Sequence, residues 1–190
     1  MTKPKFYIGL VHSPIYNKHH DIVTTSVTTI DVHDIARISK TFSIKRFYVI
    51  TPIVPQQELA GKLIKHWKEG FGASYNPSRK AALKVAKIEN TVEDAIADAT
   101  ETEGEKPIIV ATTAQLVNVD PEKVLSAEVL REKANEGRAI VLLFGTGWGM
   151  TESVFKLADY VLEPIGGDFE FNHLPVRSAV SIYCDRLLGR

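Results

Sequence analysis

Three stretches of this 190-residue chain gather residue types that do chemistry. The densest is Gly145-Thr146-Gly147-Trp148-Gly149, which follows the apolar run Ala139 to Phe144 and precedes a helical pattern. Glycine gives up more backbone entropy on folding than other residues, so three in five positions imply positive φ in a tight turn or close approach of a ligand to the main chain. The spacing is G-x-G-x-G and not the dinucleotide fingerprint G-x-G-x-x-G. Only 41 residues follow it, and no Gly-Lys-Ser/Thr completes a phosphate loop. The second stretch is Glu163-Pro164-Ile165-Gly166-Gly167-Asp168, again at a strand end, with Asn172, His173 and Arg177 where the last helix opens. A helix N-terminus favours a carboxylate or phosphate. The third is Asp31-Val32-His33-Asp34-Ile35-Ala36-Arg37. Asp34 and Arg37 are i, i+3 neighbours. An arginine near a helix start opposes the macrodipole, which leaves either a surface ion pair or a role in a site.

Other chemistries find no residues here. The six histidines show no H-E-x-x-H and no ligand spacing, so no metal site is expected. There is no Gly-x-Ser-x-Gly elbow. The single cysteine, Cys184, excludes an internal disulfide, points to the cytosol, and reads as core on the apolar side of the last helix. Lys plus Arg and Asp plus Glu both number 23, so net charge is zero and nucleic-acid binding would need charge segregation. Segregation is present: Lys62, Lys65, His66 and Lys68, then Arg79, Lys80, Lys84 and Lys87 are basic, and the residues between Glu89 and Glu105 are acidic. Ordinary solvated helix faces account for the same pattern.

These segments need a scaffold. A composition of 44% apolar and 24% charged residues is that of a globular protein, and the length fits one domain over 1–190. No apolar run is long enough for a membrane span, and the apolar residues near the N-terminus read as a first strand. Strands are expected at 6–11, 45–51, 85–89, 107–111, 139–144 and 160–164. Helices are expected from Ile30, from Pro55 along Leu59, Leu63 and Trp67, after Pro77, from a capping box at Thr91 and Asp94, from Ser126 to Gly137, over 151–158 and over 174–188. Six strands alternating with helices give an α/β fold with a largely parallel sheet covered on both faces. Ligands then bind at the carboxyl ends of strands, which is where the two glycine-rich stretches lie.

Three segments, DVHDIARISKTFSIKRFYVITP, LLFGTGWGM and DYVLEPIGGDFEFNHLPVRSAVSIYCDRLLG, resemble in order the three motifs of the SPOUT RNA methyltransferases, closest to an uncharacterised bacterial branch with an NHLPVRSA-type helix start. The resemblance covers residues 30–52 and 139–189, and the third motif is its most specific part. It implies a parallel sheet ending in a deep trefoil knot, a homodimer, and S-adenosylmethionine (AdoMet) as cofactor in a cytoplasmic RNA methyltransferase acting on tRNA or rRNA, at a ribose 2′-oxygen or guanine N1. The cofactor loops it implies are Ala111, Thr112 and Thr113 through Ala114; Gly145, Thr146, Gly147 and Gly149; and Pro164, Ile165 and Gly166 through Gly167, with Leu174, Val176, Ser178 and Ala179. The first-motif arginine falls on Arg37, expected at the substrate side, with Asp168 as a second catalytic candidate. The chain departs from the family pattern where the second motif lacks an acidic residue and where His173-Leu174-Pro175 replaces Ser-Leu-Asn. The alternatives are an α/β nucleotide-binding enzyme using the GTGWG loop, and a knotted AdoMet- and RNA-binding protein without methyl transfer.

Overall fold

The computed structural model describes residues 4–117, 119–166 and 171–189. Strand β1 (Phe6–Val11) is followed by a small hairpin, β2 (Ile15–Tyr16) and β3 (Ile22–Val23), and by helix α1 (Thr29–Thr41). Then come β4 (Arg46–Ile50), α2 (Val54–Lys68), α3 (Phe71–Tyr75), α4 (Pro77–Leu83) and β5 (Ala86–Glu89). Helix α5 (Val92–Glu103) leads to β6 (Ile108–Thr112), β7 (Val124–Leu125), α6 (Ala127–Ala134) and β8 (Ile140–Gly145). The chain closes with α7 (Glu152–Leu157), β9 (Tyr160–Leu162) and α8 (Val176–Leu188).

Seven strands form one sheet in the order β5-β4-β1-β8-β6-β9-β7, with every pairing parallel. β1 is buried on both faces, which is why its sequence is apolar without alternation. Phe6, Ile8 and Leu10 face one layer, with Val32 and Ile35 of α1, Ala60 and Ile64 of α2, Leu83 of α4, Leu130 of α6 and Val180 of α8. Tyr7 and Val11 face the other, with Val92, Ala95 and Ala99 of α5 and Val154 of α7. Gly9 lies between the two flanking strands. A Cβ there would come within 2.8 Å of Leu143 Cδ2, so the missing side chain permits the close packing of β1 against β8.

The expected six strands are present, and the sheet gains a seventh, β7, two residues long and without apolar periodicity to reveal it. The β2–β3 hairpin was equally invisible, because its strands hold two residues each. The capping box at Thr91 and Asp94 forms in both directions. Two expectations change. Helix α1 is capped by the side chain of Thr28, so Arg37 lies past its middle and not at its start, and the macrodipole gives no reason for an arginine there. Helix α2 turns Ala60 and Ile64 to the core and leaves Leu59 half exposed, so the Leu59, Leu63, Trp67 stripe is the flank of the buried face. In α8, Val180, Tyr183, Cys184 and Leu187 enter the core. Among the described residues, no helix is long and apolar enough to cross a membrane.

Candidate active site

Strands β8, β6 and β9 are neighbours and run parallel, so their carboxyl ends open at one edge of the sheet. Three loops meet there: 113–117 after β6, 146–151 after β8, and the segment that leaves β9 at Glu163. Each contributes an exposed apolar side chain: Leu116 and Val117 from the first, Trp148 from the second, and Leu174 just before α8. Apolar surface left in water at the strand ends suits a flat heterocycle. The third loop is tied to the first where Asn172 Nδ2 donates to the Ala114 carbonyl at 3.1 Å.

Not every residue assigned to these loops offers its side chain. Ala111 is fully buried on the α5–α7 side, and Thr112 donates its hydroxyl to the Leu143 carbonyl at 2.9 Å, so both present only backbone. Thr113 donates to the Gln115 carbonyl at 2.7 Å and shapes the turn. A Cβ on Gly145 would meet Met150 Cγ at 2.8 Å, so this position is reserved for the loop's own packing. Thr146 donates to the Val11 carbonyl at 3.0 Å and shares a hydrogen bond with Thr25 at 2.5 Å. Gly147 has φ +54°, and a Cβ would lie 3.1 Å from Ile15 and 3.2 Å from Thr25. That side of the loop faces the hairpin. Gly149, at φ +103°, has open space where a Cβ would stand. The hairpin grips the loop from outside: Tyr16 N–H donates to the Gly149 carbonyl at 2.9 Å, and Trp148 N–H to the Tyr16 carbonyl at 3.1 Å. Ile165, Val176 and Ala179 pack against the α1–α8 core layer, beside the half-buried Pro164. Gly166, at φ +144°, sits against the Asn172 side chain. Asp168 lies outside the described residues.

A second feature joins the first and third sequence motifs. Helices α1 and α8 enclose an open groove of about 430 Å³ lined by Asp34, Arg37, Ile38, Phe42, Arg177 and Ser178 among others. Arg177 Nη1 donates to Asp31 Oδ1 at 2.8 Å, and its Nε lies 3.4 Å from Asp34 Oδ2. Asp31 is nearly buried and also accepts the Thr28 hydroxyl at 2.5 Å. Arg37 Nη1 is 3.8 Å from Asp34 Oδ1, too long for a strong hydrogen bond. Its side chain is 63% exposed, which leaves the guanidinium available to a substrate phosphate or base. Sequence reading singled out Arg37 and named Arg177 only as a neighbour of the helix start. The Arg177–Asp31 pair, 146 positions apart, left no local signal.

Behind the loops, His12 directly follows β1. It is wholly buried, its Nδ1 lies 3.1 Å from Thr25 Oγ1, and burial pushes its pKa down to about 4, with the Asp31 charge opposing. His12 is neutral at physiological pH and belongs to the hydrogen-bonded chain His12–Thr25–Thr146 that fixes the glycine loop. Cys184 is buried and its thiol is pushed up to about 12, so it is core. Among the described residues no cluster of His, Cys, Asp and Glu is arranged to hold a metal.

Residues 5–189 match the family model of SAM-dependent RNA methyltransferases. A tRNA (guanine-N(1)-)-methyltransferase of Oleidesulfovibrio alaskensis is 40% identical over 183 residues, which is 96% of this chain and 42% of that protein. The chain thus spans less than half of that relative. An uncharacterized protein of Aquifex aeolicus is 34% identical over 190 residues and is matched over 91% of its own length. Among solved structures, TrmJ from Z. mobilis ZM4 aligns with a TM-score of 0.62 at 19% identity, covering 98% of this chain and 68% of that one. The AdoMet complex of the SpoU methyltransferase AviRb from Streptomyces viridochromogenes aligns at 0.57 and 11% identity, covering 99% and 58%. At these identities the likeness is one of fold.

Proposed function

The chain belongs to the SAM-dependent RNA methyltransferases, and we propose that it is of the SPOUT class, that residues 1–190 form one domain, and that it methylates guanine N1 of a tRNA as a cytoplasmic homodimer. The observation that carries the site assignment is the meeting of three loops at the ends of β8, β6 and β9, beside a groove in which Arg37 is held only loosely. The Oleidesulfovibrio alaskensis relative, a tRNA (guanine-N(1)-)-methyltransferase more than twice as long, supports N1 over a ribose oxygen.

AdoMet supplies a methyl group on a sulfonium, so the leaving group comes with the cofactor. The chain's residues fit such a group. The loops that hold residues 111–113 and 145–149 meet at the strand ends, Gly149 leaves the space of a side chain open, and Leu116, Val117 and Trp148 give the apolar surroundings an adenine requires. Ser178 lines the groove wall toward Arg37. With AdoMet bound, the chain's own residues would have to hold guanine N1 in line with the methyl carbon and take up the N1 proton. Asp168 is assigned as the base by sequence position, and Arg37 binds and orients the substrate's charged edge. Holding the reacting atoms about 3–3.5 Å apart is the task of the loops, whose hydrogen bonds to β1 and the hairpin are already made.

Two parts of the assembly are inferred with it. The bond from Asn172 to Ala114 draws the segment after β9 across the loop after β6, which supports a knotted C-terminus. Ile38 and Phe42 stand half-buried in the α1–α8 groove, which supports a partner chain on that side. The test uses the purified chain with a tRNA transcript. Calorimetry is expected to show one AdoMet per chain, light scattering a mass of twice 21.1 kDa, and nucleoside mass spectrometry 1-methylguanosine. AdoMet binding with 2′-O-methylation would move the target atom. No AdoMet binding at millimolar concentration refutes the site.

A further inference from the structure

Helices α2 to α4 hold a charge that the composition of the whole chain conceals. Residues 62–84 carry six Lys and Arg against one Glu, a net +5, in a chain whose total is zero. Among the described residues none of these six forms an ion pair, whereas Lys5, Lys45, Arg46 and Lys87 are neutralised by Glu103 or Asp98. Lys62, Lys65, His66 and Glu69 line one open depression on α2.

Beside it α3 exposes two aromatic rings. Phe71 is 78% and Tyr75 77% exposed, with ring centroids 6.1 Å apart and planes within 21°. A five-residue helix that turns both its large apolar side chains to water is contributing nothing to the core through them. It is nevertheless held firmly. A Cβ on Gly72 would reach within 2.6 Å of the Trp67 ring, so α3 packs directly on Trp67. The Arg79 guanidinium lies 4.5 Å from the centre of the same ring. Trp67 in turn meets His33 of α1 edge to face at 5.6 Å, one helical turn before Arg37. Trp67 thus links the patch to α1, the helix that carries Arg37.

We propose that this face of α2–α4 is where the substrate RNA docks. An unpaired base stacks on the Phe71–Tyr75 pair, Lys62, Lys65, Lys68 and Lys80 hold the flanking phosphates, and the strand runs past Trp67 and His33 toward Arg37. Stacking on aromatics beside a basic track is the physics of single-stranded nucleic-acid capture, and it works without reading sequence. A second copy of the chain is a poor occupant, because a two-fold contact through this face would set one net +5 surface against another. The inference rests on the RNA methyltransferase reading.

The experiment compares the full-length chain with Phe71→Ala/Tyr75→Ala and with Lys65→Gln/Lys68→Gln, using a tRNA transcript as probe at several salt concentrations. The aromatic variant is expected to bind the transcript about 10-fold more weakly or worse, with KM raised and kcat nearly unchanged. The lysine variant is expected to lower the slope of log K against log[salt] by about 1.4, from two phosphate contacts at about 0.7 each on a single strand. Both keep wild-type melting temperature and AdoMet affinity, since the altered side chains are mostly exposed. Wild-type tRNA affinity in the aromatic variant overturns the proposal, as does a dimer that becomes monomeric when the aromatics are removed. An unchanged salt slope in the lysine variant also counts against it. If the wild-type chain itself binds AdoMet but takes up no tRNA, the RNA reading fails, and that result is distinct from failure of this surface alone.

Discussion

Replacing His12 by Asn should flatten the acid side of the stability profile. His12 is wholly buried directly after β1, and burial lowers its pKa from 6.5 to about 4. A base whose folded value is depressed binds its proton more readily in the unfolded chain. Its contribution is therefore complete above pH 6.5 and is lost as pH falls from 6.5 toward 4. Integrating that difference from pH 7.5 to 4.5 gives about 2.5 kcal/mol. For a chain of this length that is about 5–10 °C of melting temperature. Asn offers a hydrogen-bonding atom near the position of Nδ1, so the contact to Thr25 can survive while the titration is removed. The variant is expected to be the less stable protein at pH 7.5, with the gap closing by about 2.5 kcal/mol at pH 4.5. His33, also lowered chiefly by burial, and the carboxylates Asp98 and Glu103, held below their usual values by their partners, weaken both proteins alike in acid. The difference between the two denaturation series therefore isolates His12. Two parallel curves from pH 7.5 to 4.5 would refute the assignment of a neutral, proton-excluding His12.

Three further outcomes are expected. Arg37→Ala should lower methyl transfer about 100-fold and leave AdoMet affinity within twofold, because the side chain is mostly exposed and makes only a long contact to Asp34; parallel loss of affinity in calorimetry would withdraw its substrate role, and Lys is not expected to restore activity. Gly147→Val should destabilise the fold by about 2–3 kcal/mol in chemical denaturation, from a β-branched residue at φ +54° facing Ile15 and Thr25, while Gly149→Ala, with open space and only its φ to strain it, should lose about 1–2 kcal/mol; equal losses would contradict the packing of the loop against the hairpin. Arg177→Ala should cost about 1–3 kcal/mol and raise amide exchange at the start of α8, since the Asp31 carboxylate would keep only the Thr28 hydroxyl; unchanged exchange there would show that the bridge does not secure the helix.

The sheet was legible because its strands are long enough, and buried on both faces, to write continuous apolar runs such as FYIGLV and IVLLF. Local chemistry located the helix starts at Thr91 and Ser126, each with a capping side chain three residues from its partner amide. Pairings across great sequence distance were not legible. The hairpin that clamps the glycine loop rests on four strand residues, and Thr25 meets Thr146 only because β1 and β8 are adjacent. The glycines themselves were located by composition alone, which could not say that Gly147 faces protein and Gly149 faces open space. The family motifs placed Arg37 and Arg177 in separate segments, and their shared neighbour Asp34 emerged only when α8 was seen against α1.

The adjacency of β1 to β8 also sets a timetable for synthesis. Residue 6 pairs with residue 140, so the first strand emerges from the ribosome long before one of its two neighbours exists. At about 5–20 residues per second, the interval is roughly 7–27 s. During it β1, β4 and β5 can pair, but the edge of β1 that β8 will occupy stays open and is apolar on both faces. An uncovered strand of that kind recruits other strands, including those of neighbouring nascent chains. Completion of the central sheet waits for the last third of the polypeptide. A message that slows translation between codons 90 and 140 would lengthen the vulnerable interval, and the yield of folded protein should fall accordingly.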